Sequence, residues 1–145
     1  IIIPNEKLRS KFTKEMERTG YDEPSLMGIV AATAAYSEGK EWFEAAKVYI
    51  WDNILFAEKL MREKCPKIKV LKPEGSYLLW MDFSAFELID SQINDRILNK
   101  AKVWLDGGIM FGPEGEKFQR INCATPRAIL EKALIQICNE FSEEK

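Results

Sequence analysis

The residue with most chemistry to offer is Arg120, in the middle of the run Phe118-Gln119-Arg120-Ile121-Asn122-Cys123. The run reads as a strand, and successive strand side chains point to opposite faces. Gln119, Ile121 and Cys123 then face the core, and Phe118, Arg120 and Asn122 share the other face. On a covered face, a guanidinium matches a carboxylate in two parallel hydrogen bonds. Each charge-assisted bond contributes roughly 1.5–3 kcal/mol. Spacing alone does not require such a cover. Charged side chains are mostly exposed, and a solvated surface arginine is the commoner outcome.

Two other stretches could line a ligand. Asp106 to Gly115 holds Gly107, Gly108, Gly112 and Gly115 together with Met110 and Phe111. Glycines let a backbone come close to a ligand or to another backbone. The spacing fits neither a dinucleotide fingerprint nor a phosphate loop, so a ligand loop and a plain connection stand level. Pro73-Glu74-Gly75-Ser76-Tyr77 leads into an apolar strand, where Tyr77 lines a pocket or packs with its hydroxyl satisfied, the second being commoner. Glu114 and Glu116 read as solvated loop carboxylates.

The chain has 145 residues, 46% of them hydrophobic and 30% charged, with a formal net charge of −2. That suits an ordinary folded domain and gives no basic excess for nucleic acid. No apolar run approaches the roughly 20 residues of a membrane-spanning helix. There is no histidine, which removes Ser-His-Asp and Cys-His nucleophiles. Cys65, Cys123 and Cys138 are widely spaced, which argues against a Cys/His zinc site and for a reducing cytoplasm.

The elements that must position these residues follow from periodicity and caps. Ile1-Ile2-Ile3 reads as a buried strand whose neighbours lie upstream, which suggests that the chain is an excised piece. Asn5 caps a helix carrying Leu8, Phe12 and Met16 and stopping at Gly20. Pro24 suits the first turn of a second helix, rich in small residues: Gly28, Ala31, Ala32, Ala34 and Ala35. These suit tight helix packing or, less commonly, close approach of a ligand. After a break at Ser37-Glu38-Gly39, a long helix runs from about Glu41 to Lys64, roughly 35 Å. Its stripe is Phe43, Ala46, Ile50, Ile54, Ala57 and Met61, widened by Trp42, Tyr49, Trp51, Leu55 and Phe56.

Strands are expected at 68–70, 76–83, 103–105 and 118–123. Ser84 and Glu87 fit a capping box opening a helix with Ile89, Ile93 and Ile97 inward. Thr125 caps a last helix with Pro126 at its first position, its stripe running from Ile129 to Phe141, and residues 142–145 should fray. The fold class is α+β: a small, mostly antiparallel sheet with helices on one face, preceded by a long interdomain helix.

Lys102-Val103-Trp104-Leu105-Asp106-Gly107-Gly108, Phe111-Gly112, Gly115 and Phe118-Gln119-Arg120-Ile121-Asn122-Cys123-Ala124-Thr125-Pro126-Arg127 resemble the C-terminal signature of pyridoxal-phosphate-dependent enzymes of fold type I, the class I/II aminotransferase superfamily. The likeness is to the cystathionine β-lyase-like (MalY/PatB-type) branch. Pro73 to Asp82 matches the strand that this family carries earlier, and Ile1 to Asn5 resembles the segment shortly after its cofactor lysine.

The resemblance implies that residues 1–38 end a large domain and link to the next, and that 39–145 form the C-terminal small domain. It implies that Arg120 grips the α-carboxylate of an amino-acid substrate, with Asn122 and Tyr77 close by, and that Arg127 is structural. The Schiff-base lysine and the phosphate cup come from upstream in this family. The chain is therefore expected to hold no covalent pyridoxal phosphate and to be catalytically incomplete without an N-terminal large domain. The expected whole is a cytoplasmic homodimer, either a C–S β-lyase yielding pyruvate and ammonia or an aminotransferase. A non-catalytic ligand-binding or dimerisation module is the alternative.

Overall fold

The computed structural model describes residues 2–20 and 24–142. Backbone contacts divide the chain into two units, one up to Phe43 and one from Glu44 onward.

In the first unit, Asn5 accepts the Leu8 N–H (3.1 Å) and opens α1, Glu6–Thr19, which ends on left-handed Gly20. The second helix, α2, is Leu26–Glu38. Pro24 is not in its first turn, because Ser25 is the cap and its hydroxyl accepts the Gly28 N–H (3.0 Å). Neither helix has a buried residue. Leu8, Phe12 and the small-residue helix are exposed, so the tight packing expected there is not made among the described residues. Ile2 and Ile3 lie in no strand, contrary to the buried strand expected there; Ile1 lies outside the described residues.

The long helix α3 is Lys40–Lys64, and Cys65 with Pro66 follows its end. It buries Asn53, Ile54, Ala57, Leu60 and Met61, whereas Phe43 of the expected stripe and Trp42, Tyr49, Trp51 and Leu55 of its expected widening are exposed. Then come β1, Lys69–Leu71, and β2, Leu78–Asp82. A turn follows in place of the Ser84/Glu87 capping box: the Asp82 carboxylate accepts the Ser84 N–H (2.8 Å), which holds the chain out of a helix. The helix begins later as α4, Asp90–Asp95, and loosens into a π turn, Arg96–Lys100. Ile89 stands outside it and is exposed; its N–H donates to Gln92 Oε1 (3.1 Å).

The third strand lies later than its apolar residues suggest. Lys102 turns left-handed (φ 57°), and the Val103 N–H folds back onto the Ile97 carbonyl (3.0 Å). Residues 103–105 thereby leave the ladder, and β3 is Asp106–Gly107. Two 3₁₀ turns, Gly108–Phe111 and Pro113–Gly115, precede β4, Phe118–Asn122. The last helix, α5, is Arg127–Ser142; Pro126 stands just before it rather than at its first position, because its carbonyl already accepts from Ile129 and Leu130 in the manner of a cap residue. Of the tail expected to fray at 142–145, Ser142 is the last residue of α5, and 143–145 lie outside the described residues.

The sheet is wholly antiparallel, in the order β1-β2-β4-β3. Leu79 and Met81 of β2 and Ile121 of β4 join one core with Ile54, Ala57 and Met61 of α3, Ile93 of α4, and Leu130, Leu134, Ile137 and Phe141 of α5. Phe83, Phe86 and Phe141 close one end with ring centroids 5.0–6.2 Å apart. Burying one such ring contributes roughly 1.5–3 kcal/mol. Ile129 is exposed and lies off this stripe. The architecture is the α+β layer expected: helices cover one sheet face and leave the other to the candidate site.

Candidate functional site

The outer face of β4 carries Phe118, Arg120 and Asn122, while Gln119 and Ile121 point into the core. As the central pairing partner of both β2 and β3, β4 sets Arg120 opposite Trp80 on one side and opposite Asp106 on the other. Directly opposed residues hold their Cβ atoms about 4.5–5.5 Å apart, which brings Asp106 within reach of the guanidinium. Nε and Nη2 of Arg120 both donate to Oδ2 of Asp106, at 3.2 and 2.6 Å. The arginine side chain is 24% exposed and the aspartate 43%. Among the described residues, Nη1 has no hydrogen-bond acceptor.

One aromatic ring stacks on the guanidinium, and two more join it on the same face of the sheet. The 3₁₀ turn after β3 carries Phe111, whose centroid lies 4.3 Å from Arg120 Cζ. Trp80 meets Phe111 edge-on at 5.4 Å and Phe118 at 6.1 Å. The loop bearing Phe111 closes by a backbone crossing: a Cβ on Gly108 would run into the Gly115 carbonyl, and a Cβ on Gly115 into that of Gly108. Glycine is required at both positions by close approach.

Two strings of hydrogen bonds fix the strand that bears Arg120. Buried Gln119 donates to Asn94 Oδ1 (2.6 Å), Asn94 donates to Asp90 (3.1 Å), and Asp90 accepts the Lys117 N–H (2.8 Å). At the other end, buried Asn53 of α3 donates to the carbonyls of Cys123 and Thr125, both at 2.8 Å. Arg127 Nε donates to Asn53 Oδ1 (2.6 Å), its guanidinium covers Phe56 (4.4 Å), and its N–H donates to Tyr49 Oη (2.8 Å). Arg127 thus pins the β4–α5 junction to α3. Burial pushes the Cys123 thiol, inward at that junction, up to about 11.

Asn122 shares the face of Arg120 two residues along, and its Oδ1 accepts the Ala124 N–H (2.8 Å), shaping the turn toward α5. Tyr77 stands just before β2, partly exposed, its carbonyl accepting the Cys123 N–H (2.9 Å). No hydrogen bond or ring contact joins Tyr77 to Arg120 among the described residues. Sequence reasoning did not single out Asp106, whose only signal is an acidic residue closing the run 103–105. Two clefts, about 260 Å³ beside Gln136 and Glu140 and about 290 Å³ beside Trp104 and Met110, are not lined by Arg120.

Chemically, the site offers one guanidinium, held along one edge by a carboxylate and stacked against one aromatic ring.

The α+β fold is shared with pyridoxal-phosphate-dependent enzymes of fold type I, and the chain is homologous to the C-terminal part of enzymes in that superfamily. No family model matches it. Among curated proteins it is similar to the cystathionine β-lyase PatB of Bacillus subtilis (strain 168), 39% identical over 137 residues, which are 94% of this chain and 35% of PatB. It is also similar to the protein MalY of Escherichia coli (strain K12), 30% identical over 139 residues, 95% of this chain and 36% of MalY. Among solved structures, cystalysin from Treponema denticola, which contains pyridoxal 5′-phosphate, matches 99% of this chain and 36% of its own, with a TM-score of 0.90 and 29% identity. The chain thus spans about a third of the length of the curated relatives it matches.

Proposed function

We propose that this chain is the substrate-carboxylate-binding portion of a pyridoxal-phosphate-dependent C–S β-lyase or aminotransferase acting on amino acids. In this reading residues 1–38 end the large domain and link it to the small domain, residues 39–145. The cofactor is held by the part of the enzyme outside this chain. The carrying observation is Arg120, held by Asp106 along one edge and by Phe111 on one face, with its far end unoccupied by protein.

Arg120 binds the α-carboxylate, and Asn122 and Tyr77 border the bound amino acid. Holding the carboxylate fixes the orientation of the other Cα substituents, so one bond is presented for reaction. The rings of Trp80, Phe111 and Phe118 limit water around the ion pair, which strengthens it. Because the same grip serves elimination and transamination, these residues do not select between them; the name of PatB, a cystathionine β-lyase, supports the lyase.

The exposed apolar residues of α1 and α2 support cover by a large domain. The helical face Val48, Trp51 and Leu55, also exposed, supports a homodimer. Among the described residues no helix is long and apolar enough to cross a membrane, and three unpaired cysteines support a cytoplasmic setting.

In the full-length enzyme, Arg120→Ala should weaken amino-acid binding about a hundredfold, the loss of roughly 3 kcal/mol of charge-assisted bonding, with cofactor absorbance intact. Unchanged substrate kinetics in that variant would defeat the assignment.

A further inference from the structure

We infer that Asp106 is a positioning residue for substrate recognition: it holds the Nε/Nη2 edge of Arg120 and leaves the Nη1/Nη2 end as the carboxylate receptor. The inference rests on the carboxylate-binding reading of Arg120 and goes beyond it to a residue that never touches substrate.

A guanidinium has five N–H bonds in a fixed plane. Asp106 Oδ2 takes the Nε–H and one Nη2–H. The remaining three lie on Nη1 and Nη2, and two of them run parallel at the end of the group, spaced for the two oxygens of a carboxylate. Phe111, 4.3 Å from Cζ, restrains the plane against rotation. A long arginine side chain otherwise has much rotamer freedom to lose on binding, and here that ordering is made before the ligand arrives.

Asp106 is itself placed by the backbone. The strand β3 is only Asp106–Gly107, and its two pairs are Asp106 with Arg120 and Gly107 with Gln119. Gln119 is anchored on Asn94 (2.6 Å), and Gly107 lies so near Asn94 that an added Cβ would come within 3.1 Å of its side-chain oxygen. The shortest strand of the sheet thus brings one carboxylate into register with one guanidinium.

The negative charge of Asp106 also opposes an incoming carboxylate. Two variants separate these effects: Asp106→Ala removes acceptor and charge, whereas Asp106→Asn keeps an oxygen for Arg120 and removes only charge.

The full-length holoenzyme and its variants would be titrated with L-alanine and with ethylamine, the same amine without its carboxylate, with dissociation constants read from cofactor absorbance. Asp106→Ala should weaken L-alanine about tenfold and leave ethylamine within twofold of wild type. Asp106→Asn should return L-alanine to within threefold. The positioning role is overturned if Asp106→Ala leaves L-alanine unchanged, if it weakens both ligands alike, or if the Asn variant is as weak as the Ala variant. Arg120→Ala, run alongside, tests the underlying reading. If it too spares L-alanine, the carboxylate site itself is wrong; if it alone weakens L-alanine, only the role of Asp106 falls.

Discussion

Asn53 offers the sharpest test of how the β4–α5 junction is held. It is fully buried on an otherwise apolar helix face, and its amide makes three hydrogen bonds: two to the carbonyls of Cys123 and Thr125, one from Arg127 Nε. Asn53→Leu fills the same space and removes all three. The bond to Cys123 is buried, so its abandoned carbonyl costs about 1–3 kcal/mol. The Thr125 and Arg127 bonds are half-buried, where water substitutes in part, at roughly 0.5–1.5 kcal/mol each. Apolar burial of the leucine returns about 1 kcal/mol. The net loss is about 3 kcal/mol, a large share of a typical 5–15 kcal/mol. At about 4–8 °C per kcal/mol for a unit of roughly 100 residues, the midpoint should fall by roughly 12–24 °C.

Far-UV circular dichroism melts, paired with urea unfolding, would measure it; the urea midpoint should drop while the slope stays constant. Arg127→Met removes only one of the three bonds and the contact with Phe56, so it should cost about 1 kcal/mol. An Asn53→Leu protein melting within 2 °C of the parent, or one more stable than Arg127→Met, would refute the view that this amide holds the junction.

Other outcomes follow from the same geometry. Gly108→Ala drives a methyl group into the Gly115 carbonyl and displaces the turn carrying Phe111. It should cost about 1–3 kcal/mol by overpacking and weaken carboxylate binding, both readable by melts and ligand titration. Cys123 sets an alkaline limit. Burial raises its thiol in the folded state from about 9 to about 11. Below about 9 the thiol is neutral in folded and unfolded chains alike, and its contribution to stability is complete. From 9 to 11 only the unfolded chain releases the proton, so stability should fall by up to about 3 kcal/mol. Urea midpoints across that range should decline less steeply for Cys123→Ala than for the parent.

The parts of the fold written in the sequence are those set by short-range rules. Asn5 and Gly20 bound α1 through side-chain capping and a left-handed turn, and alternation along 118–123 gave the correct face to Arg120. The stripe from Leu130 to Phe141 likewise marked the buried side of α5. What could not be read depended on partners far along the chain. Val103-Trp104-Leu105 has strand-forming residues, yet the Val103 N–H is captured by Ile97 and the ladder shifts to Asp106 and Gly107. Ser84 and Glu87 have capping spacing, but Asp82 takes the Ser84 N–H first. Asp106 acquires its meaning only when β4 delivers Arg120 opposite it, and Asn53 only when the chain returns 70 residues later. Arginine orientation was legible; the group that steers it was not.

The crossing at Gly108 and Gly115 restricts how this surface can diversify. Each backbone occupies the volume where the other would carry its first side-chain atom, so changing both residues together brings no relief. Side chains can therefore vary only within the intervening residues, from Ile109 to Glu114, while the two ends of the noose stay shut. A designer seeking altered selectivity would graft variation into that span, with Phe111 as the lever nearest the guanidinium.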